Sequence, residues 1–122
     1  MAKNRKKKSA GQPRELPEIR VTLERVRKGQ RAVPLDYPDN IGVRTKLGGK
    51  PEWIQGEQTP ECQACRSPMT FLAQIDSIDH DNKHNPLRRR YGHQDYMFGD
   101  VGMIYVFWCF NCGYSACLDQ SY

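Results

Sequence analysis

The chain has 122 residues, 38% of them hydrophobic and 27% charged, with a formal net charge of +5. That length argues for one domain with a modest core, and the absence of any run of eighteen apolar residues excludes a hydrophobic membrane-spanning helix. The charge is uneven: residues 1–31 carry eleven Lys and Arg against three Glu, while the rest carries eight basic against eleven acidic residues, so the body is mildly acidic and the basic character belongs to the start of the chain.

Residues 1–16, MAKNRKKKSAGQPREL, offer too little apolar area to offset the entropy of ordering them and read as a disordered basic tail. The tail has the charge of a signal peptide without an apolar segment behind it, so the expectation is a cytoplasmic protein. Residues 17–122 read as one β-rich domain. Within it, LPEIRVTLERVRKG places Ile19, Val21 and Leu23 in alternation with polar residues, and with the β-branched Thr22 and Val26 this predicts a half-buried strand ended by Gly29, although Ile19, Leu23 and Val26 also fit a helical stripe.

The next stretch holds Pro34, Pro38, Pro51 and Pro60 with several glycines, which predicts repeated turns and short extended pieces rather than long helices. Gly48 and Gly49 mark a tight turn needing a positive backbone angle or a close backbone approach, and Trp53 and Ile54 follow as packing residues. Residues 69–78 predict a strand with Met69, Phe71, Ala73 and Ile75 on one face and Thr70, Leu72, Gln74 and Asp76 on the other. A polar loop spans 76–100. Residues 101–110, VGMIYVFWCF, are apolar on both faces and predict a central strand covered on two sides.

Two C-x-x-C pairs, Cys62 with Cys65 and Cys109 with Cys112, flank these two strands. Each pair closes a small knuckle with both sulfurs turned to one point, and two knuckles complete a tetrahedral all-sulfur site that suits zinc. Gly113 fits the second knuckle, and pairing the two strands would bring the knuckles together. The 43 residues between Cys65 and Cys109 exceed the usual gap of a compact zinc ribbon, the excess being the polar loop. A redox pair or incidental buried thiols are the alternatives. Four thiolates leave no open position, so the expected zinc is structural, contributing on the order of 10 to 16 kcal/mol in small metal-dependent folds. Cys117 reads as a small buried residue rather than a reactive thiol.

Elsewhere, Asp76, Asp79 and Asp81 with His80 and His84 form a loop cluster that reads as a solvated turn more readily than as a second metal site. Arg88, Arg89, Arg90 and Tyr91 could clamp phosphates with the ring stacked on a base, or grip an acidic protein surface. Residues 3–8 could anchor RNA electrostatically. His93 has no partner residue at a spacing that makes a catalytic set, and no enzyme is indicated.

The ordered blocks KLGGKPEWIQ, C-x-x-C, PMTFLAQID and FGDVGMIYVFWC resemble the bacterial YwqG-like family of unknown function, with Gly48, Gly49, Pro51, Trp53, Gln74, Asp76, Gly99, Asp100 and Gly102 at the signature positions. The Gly-Gly-x-Pro and knuckle arrangement is also similar to the programmed-cell-death-two family of ribosomal-protein chaperones. The resemblance implies a β-rich domain with few helices; some YwqG-like members lie beside polymorphic toxins and are regarded as immunity proteins.

The sequence therefore predicts a small mainly-β or α+β domain pinned by a four-cysteine zinc site. Its expected role is a non-enzymatic protein-binding module, foremost an immunity protein that occludes a toxin or other partner, with Asp76, Asp79, Asp81 and residues 88–91 as candidate contacts. The alternative is an RNA- or ribosome-associated zinc protein using residues 3–8 and 88–91.

Overall fold

The computed structural model describes residues 11–88 and 94–122. Its regular structure is a four-stranded antiparallel sheet in the order β1-β2-β3-β4, with β1 at Lys46–Leu47, β2 at Thr70–Asp76, β3 at Met103–Trp108 and β4 at Ser115–Gln120. Among the described residues there is no helix, which makes the domain mainly β.

The central strand is β3, where aromatic and β-branched side chains fit a pleated surface. Met103, Tyr105 and Phe107 are fully buried on one face, and Trp53 covers them, its ring 4.7 Å from Tyr105 and 6.0 Å from Phe107. Phe71 meets Phe107 edge-on at 5.7 Å. Burying each such side chain contributes roughly 1.5–3 kcal/mol, so this layer is the core.

Trp53 and Ile54 pack where the sequence places them, on a strap that crosses the core face. The strap pairs with no strand, and its backbone groups are met by side chains from three strands. Gln74 of β2 accepts from Glu52 N at 3.0 Å, Tyr105 of β3 donates to Glu52 O at 2.7 Å, and Gln120 of β4 accepts from Ile54 N and Gln55 N at 3.0 and 2.8 Å. Gln120 Nε2 also donates to Gly56 O at 2.7 Å. Buried polar side chains thus substitute for a sheet ladder that the Pro- and Gly-rich strap cannot make.

The predicted faces of β2 hold only in its first half. Phe71 pairs with Phe107 and Ala73 with Val106, so Leu72 is an extra residue at a bulge and the side-chain parity reverses there. Gln74 and Asp76 point into the protein, while Ile75 is 41% exposed on the opposite face. That second face carries Ala73, Ile75, Ile104, Val106 and Trp108 by register, with Ile75 exposed and the other four half-buried, so β3 is fully buried on one side only.

The predicted strand at 19–26 is also corrected. Residues 11–27 carry no strand pairing, and Val21 and Leu23 are 70% and 73% exposed. Alternation makes a strand only where pairing also buries the apolar side, and here that side stays in solvent. The stop at Gly29 does form, with φ 84° and a Gln30 N to Arg27 O bond of 2.9 Å.

At the end of the sheet remote from the cysteines, Asp76 forms a buried two-pronged ion pair with Arg44, Nε to Oδ2 and Nη2 to Oδ1 both at 2.8 Å. Gly42 N and Arg44 N add bonds to Oδ2 at 2.8 and 2.9 Å. Burial opposes the Arg44 charge, but the hydrogen bonds and charge of Asp76 outweigh it and hold the guanidinium above its usual pKa.

Candidate metal centre

The two knuckles are built alike. In the first, Cys62 N donates to Ser67 O at 2.9 Å and Arg66 N to Cys62 O at 2.8 Å; in the second, Cys109 N donates to Tyr114 O at 2.8 Å and Gly113 N to Cys109 O at 2.8 Å. In both, the residue after the second cysteine has a left-handed backbone, φ 63° at Arg66 and 76° at Gly113. The β2–β3 pairing sets Thr70 beside Trp108, which carries the two loops to the same end of the sheet.

The result is a cluster in which the sulfurs of Cys62, Cys65, Cys109 and Cys112 all lie within 4.8 Å of one another. The Cys65 and Cys109 sulfurs stand 3.7 Å apart, far beyond the roughly 2.05 Å of a disulfide and close to the separation of about 3.8 Å between thiolates at tetrahedral bond lengths near 2.3 Å. Cys62 and Cys109 are buried, Cys65 and Cys112 exposed, and none of the five cysteines is paired in a disulfide. Four thiols packed this closely can hold a metal ion.

Electrostatics point the same way. The Ser67 backbone N–H, then its hydroxyl, lower the Cys65 thiol to about 6, whereas Cys112 is pushed up to about 12, first by its hydrogen bond to Cys65 and then by burial. Neighbouring sulfurs cannot all ionise by themselves, and a central cation is what lets four thiolates coexist.

The other expected site residues are scattered. Asp76 is a buried structural anion rather than a partner contact, because the β2 bulge turns it inward. Asp79 Oδ1 accepts from Asp81 N at 3.1 Å within an exposed turn. His80 is buried with Nδ1 2.9 Å from Leu87 O, and His84 Nε2 lies 3.9 Å from Asp39 Oδ1. Among the described residues, the cysteine cluster is the one group of three or more His, Cys, Asp or Glu placed to hold a metal. Arg88 is exposed; Arg89, Arg90, Tyr91, His93 and the lysine run at 3–8 lie outside the described residues.

Cys117 is exposed, which corrects the expectation of a buried thiol: Leu118 pairs with Tyr105 and faces the core, so Cys117 beside Val106 faces outward. Three of the glycines are architectural. Gly48 and Gly49 turn at φ 67° and 72°, and a Cβ on Gly102 would lie 2.3 Å from Phe98 O. Arg44, Gln120 and Tyr122 were not singled out by sequence, since an isolated polar residue at a strand end carries no periodic signal. No helix among the described residues is long and apolar enough to cross a membrane.

No family model matches the chain, and no solved structure matches it. Among curated proteins it is 30% identical over 97 residues to the uncharacterized protein YpfL of Salmonella typhimurium, a match that takes in 77% of this chain and 19% of that protein. The chain thus spans about a fifth of the length of the curated relative it matches.

Proposed function

We propose that this chain is a non-enzymatic protein-recognition module whose body is fixed by one structural zinc ion on Cys62, Cys65, Cys109 and Cys112. Zinc is favoured among divalent ions because the donor set is four sulfurs, all within 4.8 Å of one another. With four protein ligands there is no open position for water or substrate, which assigns the ion to architecture.

The observation that supports recognition is the sheet face opposite the core, exposed at Ile75 and half-buried at Ile104, Val106 and Trp108. Ile75, Ile104, Val106 and Trp108 share it by register, and the adjoining second knuckle exposes Phe110 and Tyr114, at 72% and 54%. Clustered exposed apolar and aromatic groups mark interaction surfaces. The mildly acidic body complements a basic partner. An occluding, immunity-type role is one form of such binding, and it rests on the family resemblance.

The test is affinity capture from the native host after nuclease treatment, with the wild-type chain beside Val106→Glu. Recovery of one stoichiometric protein that Val106→Glu loses while remaining folded supports the reading. Recovery of the same proteins by both chains, or of RNA alone when nuclease is omitted, overturns it, and the second result favours the RNA-associated alternative.

A further inference from the structure

A cleft of about 250 Å³ opens on the core side of the sheet, away from the opposite face and the cysteines, lined by Tyr37, Asn40, Glu52, Trp53, Ile54 and Tyr122, with Arg44 at its base. Its aromatic content is unusual for a surface cleft. Tyr37 and Tyr122 are 64% and 48% exposed, yet their rings sit 5.4 Å apart. The Trp53 indole is backed by Tyr105 and Phe107, which fixes its plane.

The cleft carries one carboxylate and one guanidinium. Glu52 supplies the carboxylate, whose Oε2 accepts from Gln74 Nε2 at 3.4 Å. The one cation, Arg44, is neutralised by Asp76 and spends a further N–H on Tyr122 Oη at 3.1 Å. Its guanidinium also lies 5.6 Å from the centre of the Tyr122 ring, so that ring already takes a positive charge in this cleft. Electron-rich ring faces beside a carboxylate are the chemistry that recognises an organic cation.

We propose that the cleft between Tyr37, Trp53 and Tyr122, with Glu52 on its wall, is a binding site for an alkylated ammonium group. The volume suits a headgroup rather than a whole drug-sized ligand. Two sources carry this chemistry, a methylated lysine side chain of another protein and a free quaternary amine. The site is independent of the sheet face opposite the core and of the metal reading.

The test is a titration of the full metal-loaded chain with choline, followed by the resonances of Trp53 and the tyrosines, beside its neutral isostere 3,3-dimethyl-1-butanol and a trimethyllysine peptide. Expected is saturable millimolar binding of choline with shifts confined to Trp53, Tyr37 and Tyr122, and at least fivefold weaker binding of the neutral alcohol. Tyr37→Ala and Glu52→Gln should each weaken choline by about fivefold or more with the unfolding midpoint retained. Tighter binding of the peptide than of choline assigns the site to a protein side chain, and equal binding assigns it to the free amine. Equal affinity for choline and the neutral isostere, shifts spread over the molecule, or no saturation would each overturn the proposal.

Discussion

Arg66 and Gly113 occupy the same station in the two cysteine knuckles. Each follows the second cysteine of its pair, each has a left-handed backbone, and each donates its N–H to the carbonyl of the first cysteine at 2.8 Å. Only one of them is the residue that this conformation favours.

Arg66→Gly is therefore expected to stabilise the metal-loaded protein by about 1 kcal/mol, since a left-handed backbone costs a residue with a side chain roughly 1–2 kcal/mol and glycine returns part of that as unfolded-state entropy. Gly113→Ala is expected to destabilise by a similar amount. A Cβ there would sit 3.8 Å from the Trp108 ring, so the cost is one of backbone and not of collision. Urea unfolding of the three proteins at equal metal loading checks both signs.

Elemental analysis should find one zinc per chain. Stripping it with a strong chelator should abolish cooperative unfolding, because a structural site of this kind contributes on the order of 10 kcal/mol, comparable to the whole net stability of a small domain. Serine at any of the four ligand positions should do the same, while Cys117→Ser should leave metal content and melting unchanged. Metal should also be lost on acidification, since protons compete for the thiolates.

Asp76→Ala leaves the Arg44 guanidinium buried without its partner and is expected to cost about 3–5 kcal/mol. The double variant Arg44→Met with Asp76→Leu should recover a large share, as apolar replacement of a buried pair is often neutral. A double-mutant cycle by denaturant titration measures the coupling.

Gly102→Ala should cost about 2–3 kcal/mol or prevent folding, because the added carbon would lie 2.3 Å from Phe98 O and 2.6 Å from Gln120 O, both backbone atoms that the sheet end holds in place. Thermal unfolding checks it. Ile75→Thr, on the face opposite the core, should change stability by no more than about 0.5 kcal/mol.

The sequence reveals the metal cluster because ligand type and spacing are local facts, and it reveals β3 because six consecutive strand-forming residues leave little choice. It fails at Leu72. A single extra residue opposite a continuous partner strand reverses parity, so Gln74 and Asp76, which plain alternation sets on the face opposite Phe71, share its buried side and anchor the strap and Arg44. Bulges are set by the pairing strand and leave no trace in one strand's own alternation. The residues at 19–26 fail for the complementary reason: their pattern is that of a strand, but whether its apolar side is buried is a property of the whole fold. Cys117 follows from register, which fixes its face more firmly than the average burial of its residue type.

The 43 residues between Cys65 and Cys109 looked excessive for a ribbon. The chain leaves β2 and enters β3 at Asp76 and Met103, at the far end of strands that span roughly 20 Å. The connection therefore starts and ends away from the sulfurs. A change of length within the connection leaves the spacing of the two knuckles unaltered, because the β2–β3 register and not the connection sets it.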